Sequence, residues 1–184
     1  MTKNFRHFSE AEKTLLRGLT GKVVRAFGGI QLLPGSRIAV GGAFLLTENN
    51  FALILNSKLE TYEINGVIDD FACLHVESAA PDALTAYEDS FFYNLSGEAI
   101  EGVKIIRVFL RREKIGNSEK AFQIDLGIQV STKNGSLVLL NGSIWANEID
   151  LIALRLDEKL PDLDLFDSEL GDVWETTVEF IPLD

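Results

Sequence analysis

Short runs of β-branched, aliphatic and aromatic residues, separated by turn-forming residues, constrain this chain more than any other feature. Pro34-Gly35 and Asn65-Gly66 each separate two such runs, and Lys133-Asn134-Gly135 separates two more. Asn-Gly between strand-like runs is a strong indicator of a tight hairpin turn. Long helices do not alternate regularly with these runs, as they would in a parallel doubly wound fold. The sequence therefore predicts a large, mostly antiparallel sheet built from consecutive hairpins.

Each predicted strand is a run of strand-forming residues bounded by polar or glycine-containing turns. The segments are Lys22–Leu33, Arg37–Thr47, Phe51–Leu55, Leu59–Ile64, Val67–Glu77, Val103–Arg112, Ala121–Thr132, Ser136–Asn141 and a final strand from Trp174 to Ile181. Alternation along the final strand predicts one buried face, formed by Trp174, Thr176, Val178 and Phe180. If Pro34-Gly35 forms a two-residue loop, Gly28 lies opposite Gly41 and Phe27 opposite Gly42. Facing glycines permit close packing or a bulge.

Helices are predicted in few places. Ser9 and Glu12 have the spacing of a capping box, and the leucines that follow predict a helix over Ser9–Thr20. Ala79–Asp89 is compatible with a short helix, and Ser143–Lys159 fits either a helix face or a strand, of which we expect the helix. The predicted fold class is thus β-rich α+β, a largely antiparallel sheet with an N-terminal helix and one or two further short helices. We expect a single domain over residues 1–184.

The negative charge of the chain is concentrated in its C-terminal segment, residues 147–184. This segment holds twelve acidic residues and two basic ones, whereas residues 1–146 hold 16 acidic and 15 basic residues. The net charge is −11, which disfavours binding to nucleic acid and to anionic membranes, because both require clusters of Lys and Arg. The acidic segment instead favours a basic partner.

Large apolar side chains lie among these acids, as in a site where charges speed encounter and an aromatic anchor is desolvated. We therefore expect a non-enzymatic protein that binds a basic protein partner, most concretely an immunity protein that neutralises a bacterial toxin. The predicted partner-binding residues are Asp162, Asp164, Phe166, Asp167, Glu169, Asp172, Trp174 and Glu175.

Residues that support metal or nucleophilic chemistry are scarce. Cys73 is the single cysteine, so no disulfide forms within the chain. Cys73, His75 and Glu77 share one face of a predicted strand and suggest a metal site or a thiol–imidazole pair, but we expect them to pack rather than react. We predict no cofactor, no bound metal and no catalytic residue. The lack of a signal-peptide pattern at the start favours the cytoplasm.

Three alternatives remain open from the sequence. Long hairpins rich in aromatic residues also suit a β-barrel-like protein that binds a small ligand, or an enzyme with an apolar pocket. The chain also fits an adaptor or subunit whose sheet edge is buried in a larger assembly. Arg107 and Arg111, beside Phe109 on one predicted strand face, suit binding of nucleic acid or an anionic ligand, or internal neutralisation of the acidic segment, but a solvated strand face is what we expect.

Overall fold

A computed structural model describes most of the chain. The described residues are 3–4, 6–33, 36–64, 67–80, 97–112, 120–144, 146–156, 158–161 and 174–184.

The described residues form one helix and eleven strands. The helix is α1 (Glu10–Arg17). The strands are β1 (Lys3–Asn4), β2 (Val24–Gly29), β3 (Ile38–Val40), β4 (Gly42–Thr47), β5 (Ala52–Ile64), β6 (Val67–Ala79), β7 (Ile100–Arg112), β8 (Lys120–Thr132), β9 (Gly135–Asn141), β10 (Glu148–Arg155) and β11 (Trp174–Pro182).

The strands form two sheets. The large sheet has the order β11-β7-β8-β9-β10-β3, with β1 pairing beside β8, and the small sheet has the order β2-β4-β5-β6. Every strand pair is antiparallel except β1 with β8. The prediction of a mostly antiparallel, β-rich fold with an N-terminal helix is confirmed.

The hydrophobic core joins both sheets. Its main cluster combines Leu16 of α1, Leu53 of the small sheet and Ile128 of the large sheet, all fully buried. A second cluster packs Phe71 and Cys73 of β6 against large-sheet residues. Because side chains from both sheets meet in each cluster, burial of apolar surface holds the two sheets together.

The predicted N-terminal helix is present, with shorter bounds than the predicted Ser9–Thr20. The Ser9 hydroxyl accepts from the Glu12 amide, and the Glu12 carboxylate accepts from the Ser9 amide. This reciprocal pair is the predicted capping box and explains why α1 begins at Glu10.

The expected helix within Ser143–Lys159 is wrong, because Glu148–Arg155 is strand β10. Ile149 and Leu151 are buried and alternate with partly exposed neighbours, the period of a strand rather than a helix. Pairing with β9 on one side and β3 on the other decides between the two patterns. The other possible helix, Ala79–Asp89, falls largely outside the described residues. The described part of the chain therefore supports no helix beyond α1.

The predicted register of the first hairpin is also wrong. Gly28 lies opposite Phe44, not Gly41, and Gly29 lies opposite Ala43. Gly41 adopts a φ of 77°, a conformation that glycine tolerates best, and separates β3 in the large sheet from β4 in the small one. The segment predicted as one strand, Arg37–Thr47, thus contributes to both sheets.

Candidate functional site

Most predicted partner-binding residues lie outside the described part of the chain: Asp162, Asp164, Phe166, Asp167, Glu169 and Asp172. The two that are placed, Trp174 and Glu175, begin β11. Glu175 is exposed and lies opposite Arg111 in the register with β7. The described portion of the predicted surface is therefore the start of β11.

Among the described strands, β11 is the outermost of the large sheet, and exposed side chains lie on both of its faces. Glu179 is exposed on one face, and Phe180, 42% exposed, lies on the other. Val178 is half-buried and packs against the second core cluster. The prediction that Thr176 and Phe180 belong to a buried face is wrong, because both side chains are exposed.

The acidic segment is not a uniform acidic surface, because β10 lies within it. Asp150 on β10 is partly buried, and burial together with the nearby Glu148 charge raises the pKa of its carboxyl. By contrast, Glu158, Glu179 and Asp184 are exposed. Among the described acids of this segment, the exposed ones therefore all follow β10.

The basic residue Arg107 is used inside the fold. Its guanidinium donates to both carboxylate oxygens of the fully buried Asp125, with Nε to Oδ1 at 2.6 Å and Nη2 to Oδ2 at 3.2 Å. Asp125 also accepts from the Phe8 amide at 2.8 Å. The bidentate pair joins β7 to β8, and the Phe8 amide holds the N-terminal segment against the large sheet through the same carboxylate. Arg107 is thus paired inside the fold with Asp125, which does not belong to the acidic segment.

Cys73, His75 and Glu77 do not converge on a common point. The Cys73 side chain is fully buried, whereas Glu77 is exposed and pairs with Lys58 at 3.2 Å. Burial raises the pKa of the Cys73 thiol to about 11, so the thiol stays protonated at neutral pH. Because the thiolate is the reactive form, this environment suits packing rather than nucleophilic chemistry.

His75 instead lies in a polar network assembled from distant parts of the chain. Its Nδ1 is 3.0 Å from Arg6 Nη2, and its Nε2 is 2.6 Å from Glu60 Oε1. The Tyr62 hydroxyl donates to the other Glu60 oxygen. Arg6 has no acceptor capacity, so Nδ1 accepts and Nε2 carries the proton. Desolvation and the bond to Glu60 raise the pKa of Tyr62.

Glu12 ties this network to the edge of the small sheet. Its carboxylate pairs with Arg6 at 2.5 Å and accepts from the Val76 amide of β6 at 3.0 Å. Burial alone would raise the pKa of Glu12, but the hydrogen bonds from Val76 and Ser9 and the Arg6 charge hold it below its ordinary value. The sequence indicates the capping box but not this second use of Glu12, because Val76 is far away in the chain.

Two surface clefts have charged linings. One, of about 480 Å³, is lined by Arg17, Thr20, Glu101, Gly102, Val103, Lys104, Ser131, Pro182, Leu183 and Asp184. The other, of about 530 Å³, is lined by Arg37, Glu98, Thr132, Asn134, Gly135, Ser136, Leu137, Ala153, Leu154, Arg155 and Glu158. Both linings combine charged side chains with aliphatic ones, such as Leu183 in the first cleft and Leu154 in the second.

Comparisons of the chain with protein-family models, with curated proteins and with solved structures gave no match. Among the described residues, no helix is both long and apolar enough to cross a membrane.

Proposed function

We propose that this chain is a non-enzymatic protein that binds a basic protein partner through the acidic surface of its C-terminal segment, residues 147–184. The observation that carries the proposal is the charge distribution: this segment is −10 in a chain of −11. The exposed acids Glu158, Glu175, Glu179 and Asp184 support it. A concentrated field of one sign accelerates encounter with a partner of opposite sign.

The internal use of reactive groups supports a binding role rather than an enzymatic one. Arg107 is committed to Asp125, and His75 is held between Arg6 and Glu60. Each of these contacts joins separate elements of the fold, so these polar groups already contribute to holding the fold together.

The most concrete version of the proposal is an immunity protein for a bacterial toxin. Toxins that act on nucleic acid carry basic surfaces that bind phosphate. An acidic protein can occupy such a surface and exclude the substrate. A basic protein encoded beside this chain's gene is the first partner to test, and a cytoplasmic location fits a protein that protects the cell producing it.

The test replaces Asp162, Asp164 and Asp167 with lysine and measures association with the neighbouring basic protein. We expect association to slow by about tenfold or more and its salt dependence to flatten, because long-range attraction acts on the encounter rate. The matched control replaces the exposed acids Glu48, Glu63 and Glu101 with lysine, which changes the net charge equally but outside the acidic segment. The variant with lysine at Asp162, Asp164 and Asp167 must first be shown to be folded by its thermal melt. The proposal is wrong if this variant then binds the neighbouring basic protein with unchanged rate and affinity.

A further inference from the structure

The orientation of the β11 backbone follows from one hydrogen bond beside the strand. The Leu183 amide donates to the Val103 carbonyl at 2.9 Å, in line with the register of β11 on β7. In an antiparallel pair, residues that bond to the neighbouring strand alternate with residues whose backbone groups point the other way. Odd-numbered residues of β11 therefore bond to β7, and even-numbered residues direct their backbone groups toward the outer edge of the large sheet.

After the first residue of the strand, Trp174, the outward backbone groups belong to Thr176, Val178 and Phe180. Among the hydrogen bonds of the described residues outside the paired strands, none involves these three. Pro182, the last residue of β11, also occupies an outward position, where its missing N–H costs the sheet no hydrogen bond. The outer edge thus offers a short row of donors and acceptors that ends at Pro182.

The side chains along this edge have a defined chemistry. Glu175 and Glu179 lie on one face, separated by roughly 13 Å at the rise of a β-strand. Phe180 is the large apolar side chain on the other face and is 42% exposed. The edge therefore combines carboxylates at a fixed spacing with an apolar contact.

We propose that the basic partner binds by adding an extended segment as a new strand along the outer edge of β11. This inference rests on the proposed function and specifies how the partner is recognised. Main-chain hydrogen bonds to Thr176, Val178 and Phe180 contribute affinity, and alternate side chains contribute specificity. The segment carries Lys or Arg beside Glu175 and Glu179 and an apolar residue beside Phe180.

Charge favours this occupant over a second copy of the chain. Two copies joined along β11 would bring together the carboxylates of both strands and both acidic segments. Like charges placed across neighbouring strands destabilise the pairing. A basic segment reverses the sign of every one of these interactions, so the added strand comes from a partner of opposite charge.

The test uses a nine-residue synthetic peptide in which Lys alternates with Val or Thr. We expect the peptide to slow hydrogen exchange at the amides of Thr176, Val178 and Phe180. A second peptide, N-methylated at alternate residues along one edge, should bind about tenfold more weakly, because it cannot form the main-chain bonds. A third peptide with Glu in place of Lys should not bind. Equal binding of the methylated and unmethylated peptides would overturn strand addition.

Two variants of the full chain complete the test with the same Lys peptide. Thr176→Pro removes one outward amide, and we expect it to weaken binding by about tenfold. Thr176→Val keeps the amide, so it separates loss of the amide from loss of the hydroxyl and should bind as the parent does. Unchanged peptide binding by a folded Thr176→Pro variant would contradict strand addition. Strand addition by a partner would also be contradicted if the parent chain alone forms a dimer and Thr176→Pro abolishes that dimer.

The failure of strand addition is distinguishable from the failure of acidic docking. If lysine at Asp162, Asp164 and Asp167 slows partner association but Thr176→Pro does not weaken it, acidic docking stands and strand addition is wrong. If neither change affects the partner, both proposals are wrong.

Discussion

The outer edges of β6 and β11 differ in whether other described parts of the chain hydrogen-bond to them. On β6, the Ala72 amide donates to the Ile144 carbonyl at 2.8 Å, and the Asn141 side chain donates to the Ala72 carbonyl at 2.9 Å. Further along, the Val76 amide donates to Glu12 of α1. The chain therefore covers this edge at Ala72 and Val76 with its own loop and helix.

On β11, by contrast, the described part of the chain supplies no such cover for the outward groups of Thr176, Val178 and Phe180. The edge carries two devices that limit unwanted pairing, the exposed charge of Glu179 and the proline at position 182. The Glu179 charge disfavours pairing with a like-charged chain, and Pro182 offers a new strand no amide. Among the described residues, β6 is therefore covered at Ala72 and Val76, whereas the outward groups of β11 are not.

The largest expected effect is the opening of the β6 edge by Glu12→Ala. The substitution leaves the Val76 amide and the Arg6 charge without their carboxylate, which we expect to lower the free energy of unfolding by about 3 kcal/mol. Glu77→Ala is the control, because Glu77 lies on the same strand but is exposed and should change stability by less than about 0.5 kcal/mol. Chemical denaturation measures both, and equal effects would show that Glu12 does not close the edge.

A smaller loss is expected from Asn141→Ala. Asn141 is buried, accepts from the Ser57 hydroxyl at 3.2 Å and donates to Ala72. Its removal leaves a buried carbonyl unsatisfied, at a cost of roughly 1–3 kcal/mol. Denaturation of this variant should show a lower midpoint, and faster exchange at the Ala72 amide would locate the opening at β6. A denaturation midpoint equal to that of the parent would show that Asn141 does not stabilise this edge.

Acid should weaken the closed edge through Glu12. The pKa of Glu12 in the fold lies below the ordinary value of 4.5. Ionised Glu12 therefore contributes to folding stability above pH 4.5, and this contribution is lost as the pH falls through the pKa of the folded state. The gap in melting temperature between the parent and Glu12→Gln should therefore narrow between about pH 6 and pH 3. All other carboxylates are common to both proteins, so a gap that stays constant would contradict the role of ionised Glu12.

The smallest expected effect is on β11. Thr176→Pro should change the free energy of unfolding by less than about 1 kcal/mol, since the lost amide points away from β7 and edge strands tolerate proline there. A matched proline on the closed edge, Ala72→Pro, removes a used amide and should cost about 3 kcal/mol or more. Similar melting temperatures for the two variants would remove the distinction between the edges.

The hairpins could be predicted from local sequence, but the edge contacts could not. Ile64 pairs with Val67 across Asn65-Gly66, as a short-range turn dictates. β10 was predicted as a helix because its apolar residues fit both periods, and only its pairing with β3 and β9 decides the matter. Residues that pair across long separations in the chain leave no pattern in the local sequence.

The candidate surface shows the same division. The charge of the C-terminal segment follows directly from its composition. The alternation of residues from Trp174 to Ile181 correctly predicts a strand. That β11 is an edge strand follows from sheet order, which hairpin signals do not encode. The network around His75 was missed for the same reason, since Arg6 comes from the N-terminal segment and Glu60 and Tyr62 come from β5.

Residue-resolved hydrogen exchange of the free protein tests the contrast between the two edges most directly. We predict slow exchange at the amides of Ala72 and Val76, which bond to Ile144 and Glu12. Along β11 we predict alternation, with slow exchange at Thr177 and Glu179 and fast exchange at Thr176, Val178 and Phe180. Protection of the last three amides equal to that of Ala72 and Val76 would contradict an open edge.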